Sequence, residues 1–365
     1  MSNNDISSLL GILIGTAIGD SVGLPAEGIS RQRNHKIFRH QWHQRLLWRY
    51  GMISDDTEHT IFVAQCLIAH PNSPEKYVRR LAWCLKWWLL SLPAGVGLAT
   101  LKSIIKLWLG FNPRYSGVDS AGNGAVMKSA IIGAFFAYNQ DKLREYVCLS
   151  TRITHSDPRA LIGAEAIPKG SAAQHASLTA WIIRDKFTQP PQIETLSTFL
   201  KQIGDKNREW ILLVDAITES LKKDLSVLQF AEKIGQKKGV SGYVYHTVPV
   251  VIFTWYRHFG NFPQALSAIY DCGGDTDTTG AILGALMGAT VGLKGIPEDW
   301  INNLRDYPRN IELLHKIAQK LSNTIHNNYQ PSQPIFYGWW WVLPRNIIFL
   351  LIVLCHGFRR LFPPY

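Results

Sequence analysis

Glycine recurs at every fourth position in two segments far apart in the chain: Gly11, Gly15, Gly19 and Gly23, and again Gly280, Gly284, Gly288 and Gly292. Both segments are otherwise mostly apolar. Residues four apart share one face of an α-helix. A glycine inside a helix costs about 1 kcal/mol relative to alanine, so eight in register need a compensating gain. A glycine stripe removes side chains and lets a second backbone come close. The pattern predicts two helices packed tightly, one against the other. Membrane helix dimers use the same spacing, but acidic residues bound both segments here. Neither segment reaches the ~20 apolar residues of a span.

The rest of the chain reads in the same way. Apolar stretches with helical spacing recur at 57–69, 77–92, 98–109, 124–138, 159–167, 209–221, 245–258, 263–270 and 311–325, while strand-like alternation is scarce. The expected fold is all-α, a single compact multi-helix domain over residues 1–332. Residues 333–365 form a separate hydrophobic, Trp-rich tail. The chain has 365 residues and a net charge of +11. That charge suits an anionic ligand, a nucleic acid or a membrane surface. The densest basic stretch, RQRNHKIFRHQWHQRLLWR (31–49), reads as a solvated loop or one that steers anions. It lacks an RNA-binding aromatic signature or zinc-finger spacing, so no nucleic-acid partner is expected. Five cysteines without CxxC spacing read as reduced thiols of a cytoplasmic protein. No Lys or Arg precedes Arg31 and Asp5 interrupts the start, which argues against a signal peptide.

Three acidic clusters flank the glycine segments or resemble their flanks: GDSVGLPAEG (19–28), SDDTEHT (54–60) and GGDTDTTG (273–280). If the glycine helices touch, the first and third come together. The candidate ligands are Glu27, Ser54, Asp55, Asp56, Asp275, Asp277 and Thr278. Oxygen donors without histidine or thiol partners favour Mg²⁺, Mn²⁺ or Ca²⁺ over zinc or copper. Five converging carboxylates cannot all stay ionised without cations. Two divalent ions would offset most of that charge and could bridge oxygens of substrate and water. Taken singly, SDDT and DTDT also suit helix caps. DTDT further matches the DxDxT of aspartyl-phosphate phosphatases, with Asp275 as nucleophile, but no strand precedes it and no GDxxxD follows. In DSAGNGAVMKSAIIGAFF (119–136), a small-residue turn leads into a helical stretch, a setting that binds phosphate or serves as a plain turn. In THSDPRA (154–160), Asp157 and Pro158 suit a helix start, and His155 reads equally as a ligand contact, a cap or a buried side chain.

Taken together, GTAIGDSVGLPAEG, YGMISDDTEHT, DSAGNGAVMK, THSDPRA and GGDTDTTGAILGALMGATVG resemble the ADP-ribosylglycohydrolase family, in family order from about residue 8 to 292. The resemblance implies an all-α fold, a binuclear Mg²⁺ or Mn²⁺ centre and cleavage of the bond between ADP-ribose and an acceptor. The substrate would be an ADP-ribosylated protein or a small ADP-ribose conjugate. Carried over by position, Glu27, Ser54, Asp55, Asp56, Asp275, Asp277 and Thr278 match metal ligands. Ser120, Gly122, Asn123, Gly124 and His155 fall at ADP-ribose contacts, and Glu27 and Asp56 are the candidates for catalysis. Ser54 stands where threonine is usual and Lys128 where arginine is common; some members carry an acidic residue in place of Ser120. A relative that keeps the fold and binds ADP-ribose without turnover is the competing reading.

The resemblance does not reach the tail. GWWWVLP (338–344) supplies interfacial aromatics, IIFLLIVLC (347–355) is continuously apolar, and Arg359 and Arg360 suit anionic headgroups. A full span would place Pro344, Arg345 and Asn346 in the bilayer interior, where arginine costs about 2.5–3.5 kcal/mol even on a lenient scale. The expectation is a helix lying in the interface at the cytoplasmic membrane face; the alternative is a helix docked on the domain or a second subunit.

Overall fold

The structure is a computed structural model that describes residues 3–160, 171–203 and 207–362. Among the described residues it holds seventeen α-helices and four short 3₁₀ turns. Backbone pairing between segments is limited to isolated bridges. The all-α expectation holds, and most helices predicted from periodicity form within a few residues of their expected ends. One differs. The 124–138 stretch yields only the helix Ala130–Phe135, preceded by a 3₁₀ turn at Asn123–Ala125. The expected helix at 159–167 lies mostly outside the described residues.

The two glycine helices, Asn3–Gly23 and Thr276–Val291, form the centre of the molecule. They run antiparallel, and the stripes interlock. A Cβ at Gly11, Gly15, Gly19 or Gly23 would overlap the carbonyl oxygen of Gly288, Gly284, Gly280 or Thr276 respectively. The reverse holds at Gly280, Gly284 and Gly288. The gain that offsets the seven glycines inside these helices is thus backbone-to-backbone contact; the eighth, Gly292, lies just past the second helix at φ +63°. The two helices are enclosed by the remaining ones, with Ile12, Ile14, Ile18, Ile282, Leu283 and Leu286 fully buried. Contrary to the expectation from its sequence, the first is long and apolar enough over Ile6–Ala26 to cross a membrane, but it is wholly inside the core. Antiparallel pairing also has a positional result: it sets the end of the first helix, leading to Glu27, beside the start of the second, at Asp275.

The tail does not hang free. It forms a helix, Val342–Arg359, docked by one stripe: Val342, Arg345, Asn346 and Phe349 are buried. Arg345 bonds Asp306 through Nε at 3.0 Å and Nη2 at 2.5 Å and the Ile53 carbonyl at 2.5 Å, and pairs with Glu58 at 3.4 Å. Glu58 is also held by Arg309 and by the Trp88 indole. The Asn346 amide donates to the Ser91 carbonyl at 2.8 Å. Further along, the His356 ring lies 2.6 Å from the Leu46 carbonyl, and Arg360 donates to the carbonyls of Pro25 and Glu27, each at 2.9 Å. All five cysteines are free thiols.

Candidate metal centre and active site

Loops from five parts of the chain meet at the mouth of the glycine-helix pair, latched by single backbone bridges. The Gly28 amide donates to the Gly274 carbonyl at 2.8 Å, and the Gly274 amide to Ile29 at 3.1 Å. On its other side the Asp275 amide donates to Val240 at 2.8 Å. Gly273 and Gly274 sit at φ +69° and +88°, and a Cβ on Gly274 would strike the Val240 backbone. Only glycine fits between these strands of chain, which explains the paired glycines before DTDT. The Asn123 amide donates to Gly242 at 2.8 Å, and Val118 pairs with the segment carrying His155.

The helix Asp55–Ala69 brings in the second cluster. Ser54 is its N-cap, accepting from the Asp56 amide at 3.4 Å. The first turn is held from below by Asp20, whose Oδ2 accepts from the Ser54 amide at 2.8 Å and from the Thr57 amide and hydroxyl. Asp20 is fully buried. It was not among the sequence candidates, although it lies within GDSVGLPAEG; its only sequence signal is a charge placed inside an otherwise apolar helix. The acidic residues of SDDTEHT divide. Asp55 and Asp56 face the cluster, whereas Glu58 points away into the arginine network that holds the tail.

Asp56 is buried. Its Oδ2 accepts from the Thr278 hydroxyl at 3.2 Å and the Ser54 hydroxyl at 3.4 Å, and its Oδ1 has no protein partner. Asp20 Oδ1 is orphaned too. Asp277 accepts from the Thr278 amide at 2.8 Å. Asp275 accepts from the Asn123 carboxamide at 2.8 Å, which also donates to Thr247 at 3.1 Å. Glu27 stands exposed at the rim. Burial pushes Asp55, Asp56 and Asp277 well above the ordinary carboxylate range. Repulsion adds to it, chiefly from Asp20 on Asp55, from Asp55 on Asp56 and from Glu27 on Asp277. Although Glu27 is exposed as a residue, its carboxyl sits close enough to Asp275 and Asp277 to lose hydration; it is raised first by that loss and then by Asp275, against the pull of Arg360.

Among the described residues no three acidic, histidine or cysteine side chains already close around one point as a ligand shell. What they present is a desolvated, mutually repelling, all-oxygen set with two orphaned buried carboxylate oxygens. Those are the conditions a hard divalent cation relieves, and the donor set fits such an ion.

On the other wall, His155 is buried behind the Gly122–Gly124 turn. A Cβ at Gly122 would come within 3.2 Å of its Nε2, and one at Gly124 within 3.2 Å of its Cε1. Burial lowers its pKa to about 3, so the imidazole is neutral, with Nδ1 2.9 Å from the Thr154 hydroxyl. Lys128, also buried, is lowered by burial to about 8, with Asp55 opposing. The Gly122 amide faces the Ser120 hydroxyl at 3.3 Å and the Asn123 amide is taken by Gly242. The turn's first two amides therefore have partners, and the Asn123 side chain is wired to Asp275.

A pH dependence follows. The Asp20 carboxyl is raised from 3.8 to about 6, first by burial. Between those values the folded chain binds more protons than the unfolded chain, so stability without metal falls as pH rises through the window. The interval corresponds to roughly 3 kcal/mol at 1.36 kcal/mol per tenfold change. In chelator, the thermal midpoint of Asp20→Asn should gain on wild type from pH 4 to pH 7, since asparagine keeps one acceptor for Ser54 and Thr57 without the charge. A difference that is flat with pH would remove Asp20 from this account.

The architecture and site define a class: an all-helical protein whose glycine-interlocked helices converge carboxylates and hydroxyls suited to hard cations. The phosphatase alternative lacks its scaffold, because no sheet underlies Asp275 among the described residues. A profile of the ADP-ribosylglycohydrolase family matches residues 1–331, and the chain belongs to that family. An uncharacterized protein of Archaeoglobus fulgidus is 27% identical over 85% of this chain and 94% of its own. The ADP-ribosyl-[dinitrogen reductase] glycohydrolase of Rhodospirillum rubrum is 25% identical over 85% and 96%. ADP-ribosylhydrolase ARH3 of Homo sapiens is 26% identical, over 57% of this chain and 61% of its own. The solved structure of an ADP-ribosylglycohydrolase-related protein complex superposes with a TM-score of 0.59 at 22% identity, covering 88% of this chain and 99% of that one, and supports the fold.

Proposed function

We propose that this protein hydrolyses the glycosidic bond between ADP-ribose and an acceptor, using two divalent cations, Mg²⁺ or Mn²⁺. The observation that carries the reading is the buried, partly orphaned carboxylate set of Asp56 and its neighbours, in a member of a family named for this reaction. Glu27, Ser54, Asp55, Asp56, Asp275, Asp277 and Thr278 are the residues that would hold the ions. When bound, the ions supply activation of water and a grip on substrate hydroxyls.

The chain's own residues do the rest. Thr278 and Ser54 orient Asp56 by hydrogen bonds, and Asn123 fixes Asp275. In hydrolysis the C1–acceptor bond breaks, the water oxygen takes its place on C1, and one proton passes from water toward the departing acceptor atom. Glu27, at the rim and raised above the usual glutamate range, is the group suited to hold that proton. Neutral His155 and Ser120, beside Gly122 and Gly124, form the wall suited to the ADP-ribose moiety. Remote binding there positions the reacting carbon.

The test is a panel of ADP-ribose conjugates on arginine, serine, a base and an ester, assayed for released ADP-ribose in chelator and after restoring Mg²⁺ or Mn²⁺. Release from at least one conjugate that depends on metal is expected. ADP-ribose binding by calorimetry, with no release from any conjugate under either metal, would establish a non-catalytic binder instead.

A further inference from the structure

The tail helix is inside out for a helix on a water-soluble surface. Its polar side chains Arg345, Asn346 and His356, with Arg360 just past its end, turn to the domain, where each bonds a named partner, while Arg359 stays exposed. Its outward stripe is apolar: Ile347, Ile348, Leu351, Leu354 and Phe358 are 46–64% exposed. A surface helix ordinarily turns its apolar side to the core and its polar side to water. Just before the helix, Trp339, Trp340 and Trp341 are all more than half exposed. Where Asn346 meets Ser91, the adjoining helix Pro74–Leu90 ends, and it exposes Trp83, Trp87 and Leu90.

From this arrangement we infer that the outward face of the tail helix, with its tryptophan cluster, is an in-plane docking surface for an anionic lipid bilayer. Large exposed apolar patches mark interaction sites, and three features favour lipid as the occupant. Residues 333–365 contain no aspartate or glutamate, and with Arg345 paired inside the domain and Arg360 bonded to the Pro25 and Glu27 carbonyls it is the exposed Arg359 that presents positive charge at the helix end, in a chain of net charge +11. That charge complements anionic headgroups. Tryptophan flanking an apolar helix is the composition of a bilayer interface. The stretch Trp339–Arg359 is long and apolar enough to cross a membrane yet only 22% of it is buried, whereas the similarly apolar N-terminal helix lies wholly inside the core.

The docked polar side settles the mode. A spanning helix would have to withdraw Arg345 from Asp306 and Glu58, and Asn346 from Ser91, and carry them into hydrocarbon. A helix lying in the plane keeps every one of these bonds and buries only the outward stripe. The C-terminal end of the anchor then lies at the rim of the acidic site, because Arg360 bonds the carbonyls of Pro25 and Glu27.

Co-sedimentation of the full chain, purified without detergent, tests this with vesicles of phosphatidylcholine alone or mixed with phosphatidylserine. The chain should pellet with the anionic vesicles and much less with the neutral ones. The double variant Ile348→Glu, Leu351→Glu changes only exposed positions. It should partition at least about tenfold more weakly with an unchanged thermal midpoint. Three results overturn the proposal. In one, wild type and variant pellet alike. In another, the chain cannot be kept in solution without detergent, which means a spanning helix. In the third, the chain ignores vesicles and sediments as a dimer that the double variant splits, which makes a second copy the occupant.

Discussion

Asp56→Asn is expected to lose at least about a hundredfold in kcat/KM, some 2.7 kcal/mol of transition-state stabilisation, while making the metal-free protein more stable. The two effects have opposite signs for one reason. The Asp56 carboxyl is buried beside Asp55, Asp20 and Asp275, and both burial and their charges oppose its ionisation. Asparagine keeps the shape and the oxygen that accepts from Thr278, and it removes a charge that nothing in the chain balances. Relief of that sort typically contributes about 0.5–2 kcal/mol at a functional site. The same change leaves a cation short of one anionic donor, so the gain in midpoint that wild type shows on adding Mg²⁺ or Mn²⁺ should shrink. Turnover of a conjugate together with thermal unfolding in chelator and in metal measures all three. If Asp56→Asn instead weakens the chelated protein and keeps its activity, Asp56 is a helix-start residue and the metal reading fails there.

Gly284→Ala is the second large effect. Helix propensity alone would make alanine better by about 1 kcal/mol. Here the added methyl would overlap the Gly15 carbonyl, a backbone atom that cannot move without its helix. The expected outcome is a net loss of about 1–3 kcal/mol, and Gly284→Leu should not yield folded protein. Gly357 in the tail helix is the control, since a Cβ there meets nothing within 4 Å; Gly357→Ala should cost nothing. Denaturant unfolding of both variants decides the matter. Equal behaviour at the two positions would mean that the stripes are not in contact. Because the helix pair sets Glu27 beside Asp275, metal affinity should fall with stability in Gly284→Ala.

The sequence by itself determined the helical class and the tight pairing of the glycine helices, and it nominated the residues proposed to carry the chemistry. Period-four glycine and period-3.6 hydrophobicity are local patterns, readable because each residue's role depends on neighbours one turn away. The family motifs were legible for the same reason, as short runs whose order survives. Tertiary structure decided what depends on partners distant in the chain. Nothing local distinguishes Asp55 and Asp56 from Glu58, yet Arg309 and Arg345 draw Glu58 away from the site. Asp20 reads as a charge in an apolar helix until Ser54 and Thr57 are seen to bond it. The glycines at 122 and 124 suggest an anion cradle, but His155 lies against them and Gly242 occupies the Asn123 amide. In the tail, hydropathy weighs Arg345 and Asn346 as obstacles to a membrane helix. Only the fold, by pairing them with Asp306, Glu58 and Ser91, turns that side inward and leaves the apolar side facing out.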